Sequence, residues 1–165
     1  MKKLYLIGGP MGVGKTSACG YLKQLLPQSV FLDGDWCWDA DPFQVTEETK
    51  AMVMDNICHL LNNFIRCTAY EHVIFCWVMH EQSIIDSILR ALDADGCDIK
   101  AVSLLCDAET LRERLLEDVR RGVRTADVIE RSLARLMQCQ SLNTWKIDTA
   151  GKSALDVAKA VSYTH

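Results

Sequence analysis

The chain predicts a three-layer α/β domain: a five-stranded parallel sheet with helices on both faces. Two observations carry that expectation. Five short apolar runs, at Lys3 to Gly8, Ser29 to Leu32, His72 to Val78, Ile99 to Cys106 and Trp145 to Asp148, alternate with segments of helical periodicity. Neighbouring parallel strands need a crossover connection, and a helix supplies it. The run His72 to Val78 (HVIFCWV) also lacks polar alternation, as suits a strand covered on both faces.

The elements follow in order. After the first strand and a glycine-rich turn, Lys15 to Leu26 reads as a helix that Pro27 stops. The second strand runs into Asp33-Gly34-Asp35. Thr46-Glu47-Glu48 places a cap and two carboxylates at a helix start, where free N–H groups and the dipole favour them. Met54, Ile57, Leu61, Phe64 and Ile65 carry that helix to about Ala69. Glu81 to Asp93 is helical and ends near Gly96. Asp107 caps the next helix, whose inner face carries Leu111, Leu115 and Val119. Arg120 to Thr125 is basic and turn-like, and Val128 to Met137 is helical again. Ser153-x-x-Asp156 opens the last helix with a capping-box-like start.

At 165 residues, with no repeat, low-complexity tract or linker, the chain fits one domain spanning 1–165. Hydrophobic residues make up 49% and charged residues 24%, as in a packed globular protein. The net charge of −4 argues against nucleic-acid or anionic-membrane partners. No run approaches the roughly 18 apolar residues that span a membrane. The eight cysteines, at 19, 37, 58, 67, 76, 97, 106 and 139, form no C-x-x-C pair, and several fall inside apolar patterns. They read as free thiols of a reducing cytoplasm rather than as disulfides or metal ligands.

Gly9-Pro10-Met11-Gly12-Val13-Gly14-Lys15-Thr16 satisfies G-x-x-x-x-G-K-[ST] between a strand and a helix. Glycines there let backbone N–H groups wrap around phosphates, and the helix that follows offers its positive end. The motif thus predicts a nucleotide site built by Gly9 to Ser17. Lys15 reaches the outer phosphates, and the Thr16 hydroxyl is placed to ligate Mg²⁺. ATP and Mg²⁺ are the expected cofactors.

Other motifs decide what such a site is for. Asp148-Thr149-Ala150-Gly151 matches a GTPase switch string but stands over 130 residues after the loop, and no N-K-x-D guanine-reading motif occurs. It reads as a strand end and turn, near the adenine in a kinase. An oligomeric ATPase motor needs an acidic pair closing a buried strand, whereas His72 to Val78 leads into Met79-His80-Glu81. The chain also lacks room for a motor's helical subdomain. Asp33 and Asp35, at the carboxyl end of the second strand, face the γ-phosphate position instead. Asp33 could hold Mg²⁺ with Thr16 and help bind substrate, while Asp35 binds or deprotonates an acceptor.

In these respects the chain resembles the gluconate and shikimate kinases, chloramphenicol phosphotransferase and small nucleotide-kinase-like ATPases. The resemblance rests on the N-terminal loop, on FLDGD at Phe31 to Asp35 and on arginines late in the chain. It covers essentially the whole length and implies a P-loop NTPase fold with strand order 2-3-1-4-5. It implies an ATP-dependent phosphotransferase acting on a small-molecule acceptor: a sugar acid, a nucleoside or nucleotide, or a drug hydroxyl. Gluconate kinases continue F-L-H-P where this chain has Trp36-Cys37-Trp38-Asp39. Shikimate kinases carry a glycine-rich acceptor motif where Cys76-Trp77-Val78-Met79-His80 stands. Neither acceptor is therefore indicated. An ATP-binding module or slow ATPase without a dedicated acceptor is the alternative, and a monomer or small homo-oligomer the expected assembly.

Arg112, Arg114, Arg120, Arg121, Arg124, Arg131 and Arg135 form the densest basic stretch. Arg112, Arg114 and Arg131 read as helix-face residues with acidic partners. Arg120, Arg121 and Arg124, around Gly122, read as a lid over 118–128 that brings charge to the transferring phosphoryl group, with Arg120 and Arg124 as catalytic candidates. Trp36, Trp38, Phe43 and Trp77 either wall an acceptor pocket or pack in the core, with Trp36 the candidate substrate contact. His80 reads as a structural residue near the site, and His59 and His72 as packing positions.

Overall fold

Along β1 (Lys3–Gly8) the side chains alternate between two cores. Leu4 and Leu6 enter one and Tyr5 and Ile7 the other, each almost wholly buried. That period of two places a packed layer on each face of the strand, so β1 is the centre of the sheet. A computed structural model describes residues 1–164; the last residue of the expected domain, 165, lies outside them.

The sheet is parallel, with order β2-β3-β1-β4-β5. Its other strands are β2 (Ser29–Asp33), β3 (His72–Cys76), β4 (Asp98–Leu105) and β5 (Trp145–Asp148). In register, Ile7 stands beside Cys76 and Val102, and Cys76 beside Asp33. The carboxyl ends of β1 and β2, which carry the motifs, thus flank that of β3. Helices α1 (Lys15–Leu25), α4 (Ala108–Arg120), α5 (Val128–Cys139) and α6 (Ala154–Ser162) contribute Leu22, Leu111, Leu136 and Val161 to the core around Tyr5 and Ile7. Helices α2 (Glu47–Arg66) and α3 (Gln82–Ala91) supply Ile57, Leu61, Ile85 and Ile88 to the core around Leu4 and Leu6.

The capping signals act as expected. Thr46, Asp107 and Ser153 each accept from the backbone N–H three residues on. Lys2 closes the far end of α2: its ammonium donates to the carbonyls of Ile65 at 2.6 Å and Cys67 at 2.7 Å.

Several expected boundaries move. Helix α2 ends at Arg66 rather than near Ala69, because Cys67 turns extended. Strand β3 stops at Cys76, where β2 also ends, so Trp77 and Val78 lie in the loop above the sheet. The fourth strand starts at Asp98, α3 starts at Gln82 with Glu81 as its cap, and α5 runs on to Cys139. His59 is exposed on α2 rather than packed, whereas His72 is buried with Nδ1 2.7 Å from the Pro27 carbonyl. All eight cysteines are free thiols.

Candidate active site

The loop from Gly9 to Gly14 joins β1 to α1 and wraps the space above the sheet. Gly9, at φ 145°, has no room for a side chain: a Cβ there would stand 2.5 Å from the Leu104 carbonyl oxygen. Gly14 caps α1 in the left-handed conformation and offers no side chain to the first helical N–H groups. Those donors and the helix dipole face the cleft unspent, which is the arrangement an anion needs.

Lys15 bends back over the loop and donates to the Gly9 and Pro10 carbonyls, both at 2.9 Å. Burial holds its pKa below the ordinary lysine value, and Cys76, Asp35 and Asp33 oppose that shift. The Thr16 hydroxyl donates to Asp33 Oδ2 at 2.6 Å, and the Asp35 N–H donates to Asp33 Oδ1 at 2.9 Å. Asp33, only 5% exposed, therefore ties the first turn of α1 to the end of β2 with one oxygen and holds the turn after β2 with the other.

Asp35 is the second residue of the 3-10 turn Gly34–Trp38, which Asp33 caps. Its pKa lies above the ordinary carboxylate range: desolvation raises it most and the Asp33 charge raises it further, against Lys15, the Trp77 indole and Arg124. Solvent still reaches this side chain. Gly34 lies flat on Trp77, where an added Cβ would be 2.6 Å from the indole ring. The stacked indole thus sets the height at which Asp35 leaves the strand.

Met11, Gly12, Gly14, Lys15, Thr16, Ser17, Asp33, Asp35, Val78, Asp118 and Arg124 line one cavity of about 270 Å³. The structure so brings together most of the residues that the sequence nominates. Gly9, Pro10 and Val13 form the buried body of the loop behind it. Arg124 enters the cavity paired to Asp118 at 2.9 Å, with both side chains 29% exposed. Arg120 is elsewhere: 74% of its side chain is exposed and it reaches Glu117 at 3.6 Å, which Arg121 also approaches. It sits on the last turn of α4, whose helical phase turns it outward.

Trp36 is not in that cleft. It lines a neighbouring cavity of about 540 Å³ with Trp38, Phe43, Met52 and others. Trp77 lines neither; it packs into the core beside Trp38, ring centroids 6.1 Å apart. His80 also lines neither. It lies 3.5 Å from Glu81, and its Nδ1 is buried with no hydrogen-bond partner. Burial and nearby Arg135 hold its pKa below the usual histidine value, opposed by Glu81.

Sequence reading missed two features. Arg114, expected on a solvated helix face, donates to Thr149 Oγ1 at 3.1 Å and to the Thr149 carbonyl at 3.2 Å. It pins the Asp148–Gly151 turn, which follows the last strand as expected and holds Thr149 almost fully buried. The second is a stripe of α2, Glu48, Met52 and Asn56, facing the larger cavity. Its signal was present: these residues stand four apart, beside the buried stripe Val53, Ile57, Leu61 and Ile65.

The chemistry of Thr16 and Asp33 suits Mg²⁺, a hard cation held by one or two protein oxygens, nucleotide phosphates and waters. Among the described residues no group of three or more His, Cys, Asp or Glu side chains could form a cage for a metal. Among the described residues no helix is long and apolar enough to cross a membrane.

Comparisons with solved structures place the fold. The tunicamycin resistance protein of Deinococcus radiodurans matches with TM-score 0.71 and 23% identity over 98% of this chain and 94% of that one. A gluconokinase from Sinorhizobium meliloti 1021 matches with TM-score 0.71 and 17% identity over 96% and 89%. Shikimate kinase from Acinetobacter baumannii matches with TM-score 0.63 and 21% identity over 98% and 91%. No curated protein matches by sequence. The family profile described as AAA domain matches residues 6–138, from β1 to the end of α5. That span includes the phosphate loop, both aspartates and Arg124, and the chain belongs to the AAA domain family.

Proposed function

We propose that this protein transfers the γ-phosphoryl group of Mg-ATP to a hydroxyl of a small-molecule acceptor. The observation that carries this reading is the convergence of Lys15, Thr16, Asp33, Asp35 and Arg124 on one cleft at the carboxyl end of the sheet. Phosphoryl transfer needs alignment, charge neutralisation and a proton acceptor, and these residues supply each.

The loop N–H groups of Gly9 to Ser17 cradle the phosphates. Lys15 leaves the Gly9 and Pro10 carbonyls to bind the outer phosphate oxygens. Thr16 and Asp33 would hold Mg²⁺, which when bound neutralises charge on the phosphate oxygens. Asp35 accepts the proton of the acceptor hydroxyl as its oxygen bonds to the γ-phosphorus. The bond from that phosphorus to the bridging oxygen breaks, and ADP leaves with the electron pair. Asp33, within reach of the acceptor, shares in orienting it.

Arg124 contributes charge to the transferring group. It does so by exchanging Asp118 for phosphate as segment 118–128 closes, with Gly122 at φ 75° as the bend. Arg120, on the same segment, reaches the phosphoryl group only if that movement turns α4's last residue inward. The eight free thiols suit a reducing cytoplasm.

One observation favours a second reading. No carboxylate follows Cys76 at the end of β3, so metal binding rests on Thr16 and Asp33. A slow ATPase or nucleotide-binding module is compatible with that. Asp35→Asn separates the two: the kinase reading requires transfer to be lost with ATP affinity retained, and unchanged ATP turnover would sink it.

A further inference from the structure

We infer that the acceptor is a ring-bearing molecule that is uncharged or cationic, seated in the cavity of about 540 Å³ beyond Asp35. The inference rests on the phosphotransferase reading and narrows it, setting aside sugar acids and nucleotides. The cavity's size is that of a small-molecule site. Its wall starts at Trp36, the residue after Asp35, and a ligand extending from it toward the phosphate cleft would present a hydroxyl to that carboxylate.

Its walls are aromatic and held in place. Trp36 packs edge-on against Phe31 with centroids 5.1 Å apart, and Phe43 against Trp38 at 4.8 Å. Trp36 and Phe43 nonetheless remain 56% exposed. Asn56 Nδ2 donates to the Cys37 carbonyl at 2.8 Å and fixes the turn to α2. Large aromatic surfaces held rigidly but left open suit stacking on a ring.

The charge is one-sided. Asp39 and Glu48 line the cavity, and among the described residues no Lys, Arg or His does. Carboxylates and phosphates are ordinarily bound by arginine forks or lysine. This wall offers an anion repulsion instead, whereas hydroxyls and ammonium groups find acceptors and an aromatic face.

The test uses two pairs of probes that differ mainly in charge: uridine against UMP, and glucosamine against glucuronate. A Trp145→Phe background removes the indole on the remote strand β5, leaving the fluorescence of Trp36, Trp38 and Trp77. Titrated with Mg-AMPPNP present, uridine and glucosamine are expected to quench and bind at least tenfold more tightly than their anionic partners. Asp39→Lys with Glu48→Lys is expected to reverse that order. Equal or tighter binding of UMP and glucuronate, or no quenching by any probe, overturns the inference.

The same probes incubated with γ-labelled ATP test the reading beneath it. Label on UMP or glucuronate overturns the acceptor class and leaves the kinase standing. Label found only as inorganic phosphate, with the binding order intact, overturns the kinase and leaves the ligand class standing.

Discussion

Replacing Gly34 with alanine drives a methyl group into the Trp77 indole. The new Cβ would lie 2.6 Å from Cδ1 and Cγ of that ring. Carbon atoms rest at about 3.5 Å or more, so turn and indole must part by roughly 1 Å. Gly34 is buried and its backbone is not left-handed, so the effect is steric rather than torsional. Overpacking of this kind costs about 1–3 kcal/mol, which for a domain of this size lowers Tm by roughly 2–12 °C. The displacement falls on Asp35, the next residue, and a shift of about 1 Å at a reacting group lowers transfer roughly 100-fold. Urea unfolding, nucleotide affinity and labelled transfer should be measured together. Nucleotide affinity should hold, because Lys15 and the loop do not move, while stability and transfer fall. A Gly34→Ala protein with unchanged urea midpoint and rate would refute the claim that the indole sets the height of Asp35.

Other outcomes follow from the same geometry. Lys15→Met removes a charge-assisted phosphate contact worth about 1.5–3 kcal/mol and should weaken ATP binding by about 10- to 150-fold in calorimetry. Arg124→Ala should lower transfer more than Arg120→Ala by at least about tenfold, since only Arg124 lines the cleft; equal losses would contradict the assignment. Because the fold raises the Asp35 pKa, the folded chain binds a proton that the unfolded chain has released. Stability linked to Asp35 is therefore present below the ordinary carboxylate range and lost as pH rises through its elevated value. Asp35→Asn should match or exceed the wild-type Tm at neutral pH, with that margin shrinking in acid, and a lower Tm at neutral pH contradicts the shift. Transfer by the wild type should rise with pH on a limb displaced above the ordinary carboxylate ionisation. Arg114→Ala leaves Thr149 without its side-chain partner in a buried turn, at a cost of about 1–3 kcal/mol in urea unfolding, and no loss would place the stability of that turn elsewhere.

The loop and the sheet were legible because both are local signals. A strand, a glycine-rich turn and a lysine at a helix start lie within one stretch of chain, and the topology follows from five such repeats of strand and helix. Asp33 and Asp35 were legible for the same reason, standing at a strand end whose position the pattern predicts. What the sequence hid depends on distance. Whether Trp77 walls a pocket or packs in the core turns on Gly34 pressing on it from 43 positions away. Arg114 reads as one more charged helix residue until the chain returns with Thr149, 35 positions on. Arg120 and Arg124 look equivalent in a basic stretch, and only the end of α4 between them sends one outward and the other into the cleft. Exposed Glu48 and Met52 and half-buried Asn56 become a cavity wall only because Cys37 is tied to Asn56 across the turn.

The fate of the γ-phosphoryl group is read by following the label of γ-labelled ATP in the presence of magnesium and a panel of acceptors. A phosphotransferase leaves label on an acceptor hydroxyl, in proportion to ADP and dependent on the acceptor present. Label appearing only as inorganic phosphate, at one rate whatever acceptor is added, would contradict the phosphotransferase reading.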